Sequence, residues 1–210
     1  MKLEILSLEE IEKRNLISKY SPIFLLAKEL NLKFLIKENK IFTGPAVGLA
    51  TLIDKITLKF KIDSFLDLCC GTGALAKIAL MNGVKKVTCL DSFIEVAKEN
   101  LSEVNVQFVE KDVFKFNFQN FYDVIVIDPP QQLIEKLLRN FIPKIKKKCH
   151  IFIIWHGSVE EIEWNNWVRE RLRKIFDKVI EVSSYGEEIS CCSSTKKGKE
   201  MLDKLFKSWY

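Results

Sequence analysis

The residues best suited to chemistry in this chain are a glycine turn and a set of acids that follow at the ends of apolar runs. The turn lies in Ser64-Phe65-Leu66-Asp67-Leu68-Cys69-Cys70-Gly71-Thr72-Gly73-Ala74-Leu75-Ala76. Phe65, Leu66 and Leu68 read as a short buried strand, Gly71 and Gly73 permit tight backbone geometry, and Ala74 to Ala79 reads as a helix start. Backbone N–H groups at such a start point outward, and the crevice between strand end and helix is where open α/β sheets bind ligands. Acids recur where later apolar runs end, at Asp91, Asp112 and Asp128, the last followed by Pro129 and Pro130. His156 follows another such run. It reads as a group that orients or deprotonates an acceptor near neutral pH, or else as a surface-loop histidine.

These residues need a sheet to present them, and from Ile62 onward strand and helix patterns alternate as a parallel α/β sheet requires. Strands are predicted over 64–69, 86–91, 104–109, 122–128, 150–155, 178–183 and 189–194. Helices are predicted over 74–81, 94–101, 131–147 and 160–176, with Pro143 kinking or ending the third. Tyr185-Gly186-Glu187-Glu188 reads as a hairpin turn, which makes the last strand antiparallel. Residues 1–57 read as a helical extension capping residues 58–210. Ser7 and Glu10 form a capping box, Ser21-Pro22 starts a second helix running to Leu35, and a turn at Ile41 precedes a third that reaches Ile53.

Composition narrows the class further. With 210 residues, 48% of them hydrophobic, the chain can bury a full core as one elaborated domain. No apolar run approaches the roughly 20 residues of a membrane span, and the start Met1-Lys2-Leu3-Glu4 soon turns acidic, unlike a signal peptide, so a cytoplasmic protein is expected. Six cysteines without a Cys-x-x-Cys pair point to buried reduced thiols rather than metal or disulfides. The net charge of +5 is compatible with an RNA partner without requiring one. Of the basic clusters, Lys144 to Lys148 reads as a solvated helix end away from the catalytic loops, whereas Lys196-Lys197-Gly198-Lys199 is a candidate for nucleic-acid phosphates.

Asp67, Gly71 and Gly73 in the order D-x-x-x-G-x-G resemble motif I of the class I S-adenosylmethionine-dependent methyltransferases, and the resemblance extends over about residues 60–195. It implies a Rossmann-like α/β fold, a seven-stranded sheet with its last strand antiparallel, and S-adenosyl-L-methionine as cofactor. It assigns Asp67, Cys69, Gly71 and Gly73 to the methionine side, Asp91 and Ser92 to the ribose, and Asp112 and Val113 to the adenine. Asp128 would border the cofactor as well. The same glycines with Ala76 also fit the looser dinucleotide pattern, so an NAD-dependent oxidoreductase and a non-catalytic binding module stay open as alternatives.

Ile127-Asp128-Pro129-Pro130 resembles motif IV of amino-methyltransferases, which makes Asp128, Pro129 and Pro130 the catalytic candidates. An exocyclic amine is a poor nucleophile because its lone pair is delocalised. A carboxylate and a fixed carbonyl that accept its two hydrogens localise that pair and aim it. The acceptor implied is a nucleobase nitrogen in structured RNA, with a protein or small-molecule amine second. Gln131 stands where the motif has an aromatic ring, so Phe42, Trp155 or Tyr185 would have to supply stacking. No cysteine adjoins Pro129 or Pro130, which disfavours a 5-methylcytosine mechanism, and Cys191-Cys192 read as packing.

Overall fold

A strand buried on both faces must be apolar at nearly every position, and four successive residues of the fourth predicted strand, Val124 to Ile127, have no exposed surface. The computed structural model describes residues 3–38, 40–102 and 104–207, the side chains of Phe42 and Thr43 excepted. Its elements begin with β1 (Leu3–Leu6), α1 (Leu8–Lys13), α2 (Pro22–Glu29), β2 (Phe34–Lys37), β3 (Lys40–Thr43) and α3 (Val47–Lys59). There follow β4 (Ser64–Leu68), α4 (Ala74–Met81), β5 (Lys86–Asp91), α5 (Glu95–Asn100), β6 (Val106–Glu110) and β7 (Tyr122–Ile127). The chain continues through α6 (Gln131–Asn140), α7 (Ile142–Ile145), β8 (Cys149–Ser158), α8 (Ile162–Ile175), β9 (Lys178–Ser184), β10 (Glu187–Ser193) and α9 (Lys196–Phe206).

Seven strands form one sheet in the order β6-β5-β4-β7-β8-β10-β9. Pairs from β6 through β8 are parallel, and β10 lies antiparallel between β8 and β9, so the terminal reversal read from the sequence is present. Alternate residues feed two cores. Phe65, Val124, Val126 and Ile153 pack with α3 and α4 residues on one face. Leu66, Ile125, Ile127 and Phe152 pack with α6 and α8 residues on the other. The predicted 131–147 helix is broken at Phe141, just ahead of Pro143, which gives α6 and α7.

The N-terminal extension is not purely helical. The α1 capping box is formed, and Ser21 caps α2. But α2 stops at Glu29, Asn31 takes a left-handed φ of 47°, and Phe34-Leu35-Ile36 pair as β2 in a three-stranded antiparallel sheet of order β1-β2-β3. An asparagine in that conformation ends a helix, so the apolar run beyond it is a strand and not further helix. Asn100 ties this sheet to the main one. Its carbonyl accepts the Lys33 N–H at 2.7 Å, and its amide donates to the Lys33 and Thr72 carbonyls at 3.0 and 2.9 Å.

At the other end, α9 was not anticipated. Its first turn carries the Lys196 to Lys199 cluster, with Thr195 as cap, beside the start of β8 and so at the sheet edge remote from the strand carboxyl ends. Lys197 lies 3.7 Å from Asp123 and Lys199 lies 3.5 Å from Asp177, so two of these lysines carry local ion pairs. Among the described residues no helix is long and apolar enough to cross a membrane.

Gly198 lets α9 rest on β8, since a Cβ there would stand 1.8 Å from the His150 carbonyl oxygen. At an open helix position alanine gains about 1 kcal/mol over glycine. Here Gly198→Ala is expected to destabilise the chain by about 1–3 kcal/mol through forced displacement of α9, read as a lower urea midpoint.

Candidate active site

A cavity of about 960 Å³ opens at the carboxyl edge of β4, β5 and β7 and brings together Asp67, Cys69, Gly71, Asp91, Asp112 and Asp128. A second cleft of about 150 Å³, around Thr88, Gln107 and the polar loop after Lys115, holds none of the expected site residues.

The glycine turn leaves β4 through three left-handed residues, Cys69 at φ 58°, Gly71 at 51° and Gly73 at 76°. Gly73 is the one where bulk decides, because its Cβ would lie 2.9 Å from the Leu101 side chain. Asp67 is fully buried beneath the turn. Its Oδ2 accepts the Ala76 N–H at 3.2 Å, while Oδ1 has no partner. Burial first, and then the charge of Asp128, push its carboxyl well above the usual range.

Asp91 ends β5 half-buried. Its two oxygens accept the Gly71 N–H at 3.0 Å and the Phe93 N–H at 3.1 Å, so it braces the turn as well as facing the cavity. Ser92 beside it is exposed. Asp112 caps the short 3-10 turn Val113–Lys115 through Phe114 N–H at 2.9 Å, as a turn aspartate would, and buried Val113 lines the cavity next to it.

Asp128 follows β7 with its N–H on the Leu68 carbonyl at 3.3 Å, which registers it against the glycine turn. Burial and the neighbouring Glu187 charge raise its carboxyl to about 7. Pro129 is buried, and Pro130 is exposed at the start of α6. Gln131 does not face a ligand freely, for its amide donates to Glu161 at 2.7 Å. Of the rings proposed to replace it, Trp155 lines the cavity. Tyr185 is 64% exposed at the hairpin tip outside it, and the Phe42 side chain lies outside the described residues.

His156 is not a loop residue. It is fully buried inside β8, with Nδ1 3.0 Å from Asn165 Oδ1 and Nε2 3.1 Å from Ser190 Oγ. Burial lowers its pKa to about 4, so it stays neutral with both ring nitrogens engaged, and its catalytic reading falls. Sequence reasoning missed Glu187, Gly44, Pro45, Ala46, Lys111 and Lys136, all of which line the cavity. Glu187 lies 138 residues from the Leu49 N–H that it accepts, and no local pattern signals such a pair. No group of acids, cysteines and histidines suited to a metal occurs among the described residues.

Residues 65–148 match the family model described as a methyltransferase domain. Comparison with curated protein sequences finds no match. Among solved structures, spermidine synthase from Thermotoga maritima superposes with a TM-score of 0.61 at 15% identity, covering 80% of this chain and 68% of that one. The N-methyltransferase NodS of Bradyrhizobium japonicum with S-adenosyl-L-homocysteine gives 0.53 at 15% identity, covering 69% and 83%. The 16S rRNA methylase RmtB gives 0.53 at 16% identity, covering 70% and 62%. At these identities the structural likeness is one of fold. The chain has the class I methyltransferase fold, residues 65–148 match a methyltransferase domain, and S-adenosylmethionine is the cofactor that the motif I resemblance implies.

The residues present fit that cofactor. The orphaned Asp67 oxygen is a buried polar atom without a partner, Gly71 lines the cavity at the turn, and Val113 and Phe114 offer apolar surface to a ring. With Asp128 titrating near 7 and not at 3.8, the folded chain holds a proton that the unfolded chain has released across the interval between. Stability of the cofactor-free protein therefore falls as pH rises through about 4 to 7. Melting temperature is expected to drop between about pH 5 and 7.5, and to drop less in Asp128→Asn, which carries no such proton.

Proposed function

We propose that this chain is an S-adenosylmethionine-dependent methyltransferase that modifies an amino nitrogen, with a nucleobase in structured RNA as the first acceptor class. The observation that carries the reading is Asp128, held at the cavity by β7 and followed by the buried Pro129, with Trp155 lining the same space. When bound, the cofactor supplies an electrophilic methyl group on a sulfonium. The Asp128 carboxylate and the Pro129 carbonyl accept the two hydrogens of the amine and localise its lone pair. A carboxyl titrating near 7 is well matched to taking up the proton that the nitrogen gives off. Trp155 offers a planar acceptor the ring face that Gln131 lacks, and Lys111 and Lys136 at the cavity offer charge to a phosphate backbone.

In this reading residues 1–57 serve as a cap to the catalytic residues 58–210, no metal takes part, and the protein works in the cytoplasm. A small-molecule amine is the second reading, favoured by the Gly44 to Ala46 segment lining the cavity and by the two carboxylates Asp128 and Glu187. Incubation with methyl-labelled cofactor and fractionated RNA, protein and small metabolites is expected to put label into RNA as an N-methylated nucleoside. Asp128→Ala should lower that transfer by about 100-fold or more while cofactor affinity changes little. Label confined to metabolites selects the second reading, and unchanged transfer by Asp128→Ala ends both.

A further inference from the structure

We propose that Glu187 is a positioning residue that fastens the start of α3, and with it the Gly44 to Ala46 segment, at the cavity it shares with Asp128. Helix α3 starts without a side-chain cap of its own, since its N-cap is Ala46. Glu187, at the start of β10, supplies the missing acceptor. Its carboxylate accepts the Leu49 N–H at 3.2 Å, and the Val47 and Gly48 N–H groups beside it also favour its charged form. A negative group at a helix N-terminus is favourable, and the orphan Leu49 donor is satisfied.

The fit at this point is close. A Cβ on Gly48 would stand 2.4 Å from the Ser184 carbonyl oxygen and 3.0 Å from Glu187 Oε2, so glycine lets α3 sit directly on the β9–β10 hairpin. The residues just before α3, Gly44, Pro45 and Ala46, line the cavity, and so does Glu187. One carboxylate thus touches both the anchor of the N-terminal segment and the space that Asp128 faces.

The ionisable groups around Asp128 are Glu187 from β10 and Asp67 from β4, with Cys69, Asp91, Asp112, Lys111 and Lys136 along the same cavity. Burial raises the Glu187 carboxyl, and the α3 amides pull it back toward its ordinary range.

The inference rests on the proposed function only for what Asp128 does to an acceptor, and its physical content is tested without one. Two variants of the full chain separate reach from charge. Glu187→Gln keeps an oxygen for the α3 amides and removes the charge. Glu187→Asp keeps the charge and, one methylene short, loses the reach. Carboxyl-carbon NMR of Asp128 and amide hydrogen exchange at residues 47–49 are the readouts.

Glu187→Gln is expected to move the Asp128 titration to lower pH by roughly half a unit or more, with exchange at 47–49 within about threefold of the parent. Glu187→Asp is expected to speed that exchange by about tenfold or more, while the Asp128 titration moves less than in Glu187→Gln. An unmoved titration in Glu187→Gln, or unmoved exchange in Glu187→Asp, overturns the proposal. If both shifts occur and no nitrogen acceptor is labelled, the acceptor reading fails and the role of Glu187 stands.

Discussion

Five carboxylates line one cavity in this protein, and much of its construction manages the proximity of three of them. Asp67, Asp128 and Glu187 come from β4, from the end of β7 and from β10, strands brought near one another by the sheet order. Each is held above its ordinary titration range by loss of water, and for Asp67 and Asp128 also by a like-charged neighbour. Such a cluster is tolerated only with partial hydrogen bonding, with retained protons, or with a cation among the acids. The amides of Ala76 and of α3 give the first, and the raised carboxyls give the second. A sulfonium cofactor carrying an ammonium group would supply the third.

The backbone around these acids is braced by side chains that bond to main chain. Asp91 holds Gly71 and Phe93, and Asn100 joins Thr72 of the same turn to Lys33 at the edge of the N-terminal sheet. Farther along, buried His156 links Asn165 of α8 to Ser190 of β10, and Arg169 pairs with Glu188 at 2.5 Å and Glu181 at 3.2 Å. This second network keeps β10 in register beside β8, which places Glu187 at the cavity. Groups far from the reacting atoms therefore act on them through the position of a few carbonyls and amides.

Most of the sheet could be read from the chain because parallel strands buried on both faces leave near-continuous apolar runs, and Val124 to Ile127 is such a run. The glycine turn was legible for a related reason, since Gly71 and Gly73 mark left-handed backbone that other residues resist. Phe34-Leu35-Ile36 misled because a three-residue apolar run fits helix and strand alike, and only the left-handed Asn31 decides between them. His156 was misplaced because β8 extends to Ser158, three residues beyond its predicted end, which moves the ring from a loop into the sheet. Glu187 was beyond reach in principle: its partners are amides, which carry no sequence signature, on a helix distant along the chain.

The place of β10 in the sheet also orders events in time. β9 is made before β10, yet it touches the sheet only through β10, which lies between it and β8. A chain emerging from the ribosome can complete β6 through β8 while β9 still has no neighbour to pair with. The hairpin must then fold on itself and dock as a unit, a non-local step that comes late. Glu187 arrives with that hairpin, so the acidic end of the cavity and the anchor of α3 are finished together, after the glycine turn has formed. A nascent chain can thus hold its glycine turn before it holds the wall that Glu187 adds to the cavity.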